Sequence, residues 1–207
     1  MAGVELLFVR HALPARVERE DGTPADPHLA DLGHRQVAAL VEFLAAEQDP
    51  PAAVYASPMR RAMETARPLA DRLGVEVRLD DDLAEFDREA SAYVPIEELR
   101  ASGHPAWKAM IDGSYWDSID LPAFQAKVTA AAERIVEERA GSTVAVVTHG
   151  GVINMYVAGL LGLAPAVFFD PTYASISRVR ASRAGRRGVV SLNETGHLRG
   201  LGSDTAR

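Results

Sequence analysis

The chain opens on an apolar run, Val4 to Val9, broken only by Glu5. That is the pattern of a strand buried on both faces of a sheet. Residues 12–31 carry Pro14, Pro24, Pro27 and many charges, so a long loop is expected to leave this strand; loops of that length in compact domains usually serve a function. Helical periodicity follows over about 32–47, where Val37, Leu40, Val41 and Leu44 share one face. Ala53–Ala56 reads as a short strand, and Ser57-Pro58 as an N-cap with proline at the first helical position. The helix so started is expected to run to about Leu73 on a stripe of Met59, Ala62, Met63, Ala66, Leu69 and Leu73, with Gly74 ending it. Val75–Leu79 is the next strand.

Residues 80–120 are the least regular stretch, and short helices near 95–112 are expected there, packed over the sheet edge. Asp120 then caps an amphipathic helix through Phe124, Val128, Ala131, Ile135 and Val136. Thr143–Val147 is a buried strand, followed by a helix from about Gly151 to Leu161. Strands near 174–181 and 188–192 flank the polar turn Arg183-Ala-Gly-Arg-Arg-Gly, which reads as a hairpin. The alternation predicts an α/β fold, a three-layer sandwich with a mostly parallel central sheet and an antiparallel edge strand from the hairpin. No repeat or low-complexity linker divides the chain, so a single domain over 1–207 is expected, with an insert at about 86–120.

Composition narrows the function. A net charge of −7 argues against general nucleic-acid binding, and only Lys108 and Lys127 among the 22 basic residues are lysines. Arginine suits planar oxyanions better than lysine does. With no cysteine, disulfides, thiolate zinc sites and phosphocysteine chemistry are excluded. Residues 1–11 are too short and too charged for a signal peptide, and no apolar run approaches membrane-spanning length. A cytoplasmic protein without a membrane or nucleic-acid partner is the expectation, its oligomeric state open, with a homodimer as one option.

The chemistry sits at strand ends. The first strand runs into Arg10-His11-Ala12 and the later one into Thr148-His149-Gly150-Gly151, and open α/β sheets bind ligands outside the carboxyl ends of their strands. Attack on phosphorus needs a neutral imidazole, and neighbouring guanidinium groups disfavour imidazolium. The glycines after His149 allow close backbone approach, and the helix start adds N–H groups facing an anion. Arg60 and Arg61 fall in the first turn of the second helix, beside the same edge, and either is placed to hold phosphate oxygens.

These residues resemble the histidine phosphatase superfamily, also called phosphoglycerate mutase-like. Its pattern appears here as Arg10-His11-Ala12, then Ser57-Pro58-Met59-Arg60-Arg61-Ala62-Met63-Glu64-Thr65-Ala66, then His149-Gly150-Gly151. Leu32-Gly33 with Gln36, and Leu192-Asn193-Glu194-Thr195 with His197, also look like family features. The resemblance implies His11 as nucleophile, Arg10, Arg61 and His149 as phosphate ligands with His149 also catalytic, and Arg61 rather than Arg60. It places a proton donor in Leu83-Ala84-Glu85-Phe86-Asp87, which selects Glu85 among the crowded acids Asp80, Asp81, Asp82, Asp87 and Glu89. It implies no metal and no cofactor.

The match has departures. Ala12 stands where the family has glycine, Leu13-Pro14-Ala15-Arg16 follows it, and the Gly-Glu-Ser signature of mutases is replaced by Asp117-Ser-Ile-Asp-Leu-Pro. The expected function is a metal-independent phosphomonoesterase acting on a small-molecule phosphate ester through a phosphohistidine. Phosphoglycerate mutase-type transfer and a non-catalytic phosphate-binding module stay open as alternatives. An aspartyl phosphatase built on Asp80 and Asp82 is disfavoured by Ala84 in the place its pattern reserves for Thr or Val. Tyr93, Trp107, Tyr115 and Trp116 are candidates for contact with the leaving group or for packing of the insert. The turn at Arg183–Arg187 reads as a solvated hairpin tip.

Overall fold

Apolar runs and helical stripes become elements at nearly the expected places in the computed structural model, which describes residues 3–182 and 184–201. In chain order these are β1 (Val4–Arg10), β2 (Val17–Glu18), α1 (Asp31–Ala45), β3 (Ala53–Ala56), α2 (Arg60–Leu73), β4 (Val77–Leu79), β5 (Ala92–Tyr93), α3 (Ile96–Ala101), α4 (Pro105–Asp112), α5 (Leu121–Glu138), β6 (Thr143–Thr148), α6 (Gly150–Leu160), β7 (Ile176–Ala181) and β8 (Arg187–Glu194). The main sheet has the order β4-β3-β6-β1-β7-β8. Strands β4, β3, β6 and β1 run parallel, β7 is antiparallel to β1, and β8 is antiparallel to β7.

Alternation along β1 sends Leu6 and Phe8 into the core beneath α5 and α6, and Leu7 and Val9 into the core beneath α1 and α2. The result is the expected three-layer arrangement. Side chains such as Leu6 and Phe8 are fully buried, so truncating either to alanine is worth about 2–5 kcal/mol of stability. Among the described residues no helix is long and apolar enough to cross a membrane.

Two expectations need correction. Ser57-Pro58 does not cap the second helix. The helix begins at Arg60, with Met59 as its N-cap and no side-chain bond from it. Two residues of turn are needed to leave the strand, and the capping acceptor arrives from elsewhere: the Asp26 carboxylate takes the Arg60 N–H at 2.9 and 3.0 Å. Nor is 12–31 wholly irregular. Val17 and Glu18 pair with Tyr93 and Ala92 in a small antiparallel sheet, and Pro14 bridges Leu29. Two-residue strands carry no readable alternation. Gly74 ends α2 as expected, in the left-handed region at φ 69°.

Candidate active site

Strand register assembles the site. Arg10 of β1 lies opposite Thr148 of β6, and Ala56 of β3 opposite Val147. The next residues therefore emerge side by side: the His11 N–H donates to Thr148 O at 2.8 Å and the Ser57 N–H to Val147 O at 3.0 Å. Ser57, His149 and His11 thus form a row across three adjacent strand ends. The loop before β7 closes the row, because the Arg10 N–H donates to Ser175 O at 3.2 Å and the Ala174 N–H to Arg10 O at 3.0 Å. Ala174 is held there at φ 58°, a conformation that strains a residue with a Cβ by about 1–2 kcal/mol.

His11 is buried, and its Nδ1 lies 2.9 Å from Ala12 O while Arg61 Nε donates to its Nε2 at 3.2 Å. Both contacts are satisfied only by the neutral tautomer with the proton on Nδ1, so Nε2 presents a lone pair. Burial, then the Arg61 and Arg10 guanidinium groups, push the His11 pKa well below its ordinary value. The Ala12 N–H is in turn held by Thr65 Oγ1 at 3.0 Å and the Leu13 N–H by Gln36 at 2.9 Å, so α1 and α2 fix the backbone on either side of the turn. Gly33 allows this approach, since a Cβ there would collide with the Leu13 carbonyl.

Each guanidinium is held over a tyrosine. The Arg10 Cζ sits 3.8 Å from the Tyr173 ring centre and the Arg61 Cζ 4.7 Å from that of Tyr93, and the two phenols share a hydrogen bond of 3.1 Å. Such contacts contribute roughly 0.5–2 kcal/mol apiece, more when dry. Asp87 takes Arg61 Nη2 at 2.8 Å, while Arg10 Nη1 binds Pro171 O and lies 3.3 Å from Asp170. Arg10 Nε, Arg61 Nη1 and His149 Nδ1 are buried without a partner. Buried polar atoms of this kind are expensive. Grouped around His11, they are suited to the oxygens of an anion.

His149 packs behind the nucleophile candidate, its ring centre 5.1 Å from that of His11, with Nε2 bonded to Ser57 Oγ at 2.8 Å. Burial first, then Arg61, His11 and Arg10, depress its pKa as well. The Ser57 hydroxyl thus serves the site while also accepting the Met59 N–H at 3.3 Å in the turn that leads into α2.

Glu85 follows a short 3₁₀ turn at Asp81–Leu83, anchored where Thr148 Oγ1 donates to Leu83 O at 2.8 Å. Its carboxyl accepts the Gly151 N–H at 2.8 Å and the Phe86 N–H at 3.2 Å. Burial, assisted by Asp87, raises its pKa to about 7 against the opposing pull of Gly151, Arg61 and Phe86. Gly151 has a use beyond the expected one: its N–H binds Glu85, and a Cβ on it would come within 2.9 Å of Glu85 Cδ and of Phe86 Cε1.

Arg10, His11, Arg61, Glu85 and Asp87 form the base of a cavity of about 500 Å³, whose wall includes Tyr93, Trp107, Tyr115 and Trp116. His149 stands behind this base, while Gly150 and Gly151 border it. Asp80 and Asp82 lie outside it, bound to Arg134 of α5 at 2.9 and 2.8 Å, which removes the aspartyl phosphatase alternative. Arg187 pairs with Glu133 rather than standing free; Arg183 lies outside the described residues. Among the described residues no group of three or more His, Asp or Glu is arranged to hold a metal ion.

Sequence reasoning passed over Tyr173 and the pairing of Asp87 with Arg61. Tyr173 sits in an aperiodic stretch with no signal beyond its place before the hairpin. Asp87 could have been singled out only by lying two residues from Glu85.

A family model described as histidine phosphatase superfamily, branch 1, matches residues 6–195. The chain belongs to the histidine phosphatase superfamily. Within it, the chain is 32% identical over 162 residues to phosphoglycerate mutase-like protein 4 of Arabidopsis thaliana, covering 72% of this chain and 68% of that one. It is 33% identical over 154 residues to the glucosyl-3-phosphoglycerate phosphatase of Mycolicibacterium vanbaalenii, covering 67% and 65%. It spans about half (54%) of the length of other mycobacterial relatives that it matches. Among solved structures, a mycobacterial glucosyl-3-phosphoglycerate phosphatase superposes with a TM-score of 0.71 at 23% identity, covering 93% of this chain and 100% of that one. The phosphoglycerate mutase-like architecture expected of a histidine phosphatase superfamily member is thus shown at the level of fold.

Proposed function

We propose that this chain is a phosphomonoesterase that works through a phosphohistidine at His11. The observation that carries the reading is a pairing in one cavity: a neutral imidazole whose unprotonated Nε2 is held by Arg61 Nε, and a carboxyl, Glu85, that stays protonated up to about pH 7. One group lacks a proton where a nucleophile needs none, and the other keeps one where a leaving group needs it.

In the first displacement His11 Nε2 forms a bond to phosphorus as the ester P–O bond breaks, and the Glu85 carboxyl passes its proton to the departing alkoxide. The Nδ1–H bond to Ala12 O steadies the ring as positive charge develops on it. Arg10 Nε, Arg61 Nη1 and His149 Nδ1 supply donors for the equatorial oxygens as charge redistributes. For this to happen Arg61 Nε must release Nε2 and turn to the phosphoryl group. In the second displacement the Glu85 carboxylate takes a proton from water, the hydroxide oxygen bonds to phosphorus, and the P–N bond breaks to give inorganic phosphate and free His11. Proton transfer by such a group is typically worth about 10²–10⁴-fold.

Hydrolysis is favoured over mutase transfer by the phosphatase relative at 33% identity and by the missing Gly-Glu-Ser signature. The setting belonging to this reading is the cytoplasm, where charged phosphate esters are retained. The test is turnover of p-nitrophenyl phosphate in excess chelator beside the His11→Ala variant. Activity is expected to persist in chelator and vanish in the variant. Survival of the variant's activity ends the phosphohistidine reading, loss in chelator points to a metal enzyme, and an inert protein that binds phosphate is the non-catalytic module.

A further inference from the structure

Above its charged base the cavity is apolar. Its upper wall is built from α4 (Trp107, Met110, Ile111), from the 3₁₀ turn at Ser114–Ser118, and from Val167 and Phe168. The wall is packed edge to face: Phe86 lies 5.5 Å from Trp116 and 6.1 Å from both Tyr115 and Phe124, ring centre to ring centre. At the rim the apolar character continues outward, with Ile111 69% and Phe168 40% exposed. Large exposed apolar side chains beside a polar site mark where an apolar partner or ligand sits.

Charge is distributed just as unevenly. Among the described residues lining the cavity, the guanidinium groups are those of Arg10 and Arg61, and no lysine is present. Both arginines belong to the phosphoryl site, and each already faces an acid, Asp170 and Asp87 respectively. The remaining basic side chain, His104, caps α4, its Nδ1 accepting the Ala106 N–H at 3.1 Å. A second anionic group on the substrate would therefore meet Asp87 and Asp170, and among the described residues that line the cavity no unpaired guanidinium or lysine receives it; Arg100, outside the lining, lies with its Cζ 5.9 Å from the Trp107 ring centre. A buried charge without a partner is strongly disfavoured.

Resting on the phosphatase reading above, we propose that the substrate is the phosphate monoester of an apolar, ring-bearing alcohol that carries no second anion. The phosphoryl group sits on His11, Arg10 and Arg61. The ring of the leaving alcohol lies against Trp107, Met110 and Phe168, its hydroxyl oxygen toward Glu85.

Three esters of primary alcohols test this without a bias in leaving-group chemistry: 2-phenylethyl phosphate, glycerol 3-phosphate and 3-phosphoglycerate. The phenylethyl ester is expected to exceed glycerol 3-phosphate in kcat/KM by at least about tenfold, the low end of what apolar pocket contacts contribute, with 3-phosphoglycerate slowest. Trp107→Ala should shrink the first ratio at least about fivefold. Ile111→Lys, on a solvent-exposed position that leaves packing intact, should raise 3-phosphoglycerate turnover several-fold by adding a rim cation. Equal or better turnover of 3-phosphoglycerate by the unaltered protein overturns this inference and leaves the phosphatase reading standing. If no ester is turned over, calorimetric binding of 2-phenylethylphosphonate and 3-phosphonopropionate separates the two claims. A tenfold preference for the aromatic phosphonate keeps the inferred ligand preference of the cavity while the phosphatase reading falls, and equal or absent binding overturns that preference as well.

Discussion

Replacing Glu85 by glutamine keeps its size and its carbonyl acceptor for the Gly151 N–H, gives up the acceptor for the Phe86 N–H at a cost that does not vary with pH, and removes the ability to ionise. In the fold this carboxyl titrates at about 7 instead of 4.5. Each tenfold change in proton affinity is worth about 1.4 kcal/mol, so ionising Glu85 is about 3 kcal/mol harder in the folded protein than in the unfolded chain. The direction follows from proton counting. Above pH 4.5 the unfolded chain gives up its proton while the fold retains it, so Glu85 withdraws stability as pH rises, and the loss levels off once pH passes about 7. Between pH 5 and pH 8 the unfolding free energy of Glu85→Gln should therefore gain roughly 2–3 kcal/mol on that of the unaltered protein. Groups common to both proteins cancel in that comparison. Urea unfolding of the two proteins at several pH values measures it directly. Alkyl phosphate turnover by the variant is expected to fall about 10²–10⁴-fold, which makes the residue costly to stability and needed for rate. A difference in stability that stays flat from pH 5 to pH 8 would refute the claim that burial holds Glu85 protonated.

Two further outcomes come from the same neighbourhood. Asp87→Asn removes the charge that helps raise the Glu85 pKa, so the alkaline limb of the pH–kcat/KM profile should move to lower pH; a limb that stays put or rises contradicts the assignment. Gly151→Ala places a Cβ against Glu85 and Phe86, and such overpacking is expected to cost about 1–3 kcal/mol in thermal or urea unfolding. Its activity loss should be larger on alkyl phosphates than on p-nitrophenyl phosphate, whose leaving group needs little protonation.

The sheet and its helices were legible because their signals are long and periodic. The apolar run Val4–Val9 and the stripe on α5 each repeat often enough to state a type of element and a face. The strand-end pairs Arg10-His11 and His149-Gly150 were legible because topology puts such ends on one edge, and the family pattern then separated Arg61 from Arg60. What stayed hidden is what tertiary contact decides. Asp26, far from α2 in sequence, does the capping expected of Ser57. Two-residue strands β2 and β5 have no period to detect. Tyr173 matters because β7 returns antiparallel and drops the preceding loop over Arg10, and nothing in its local sequence reports that. Gly151 was recognised as special for close backbone approach, and the structure adds a second reason, the room that Glu85 occupies.

The base of the cavity and its apolar wall have separate origins in the chain. His11, His149 and Ser57 emerge from β1, β6 and β3, whereas the stretch from Val94 to Ser118 and the loop around Phe168 supply no strand to the six-stranded sheet. Selection can therefore act on the two independently. A lineage can trade one clientele of phosphate esters for another by rewriting a peripheral stretch of chain, while the reacting atoms keep their inherited spacing.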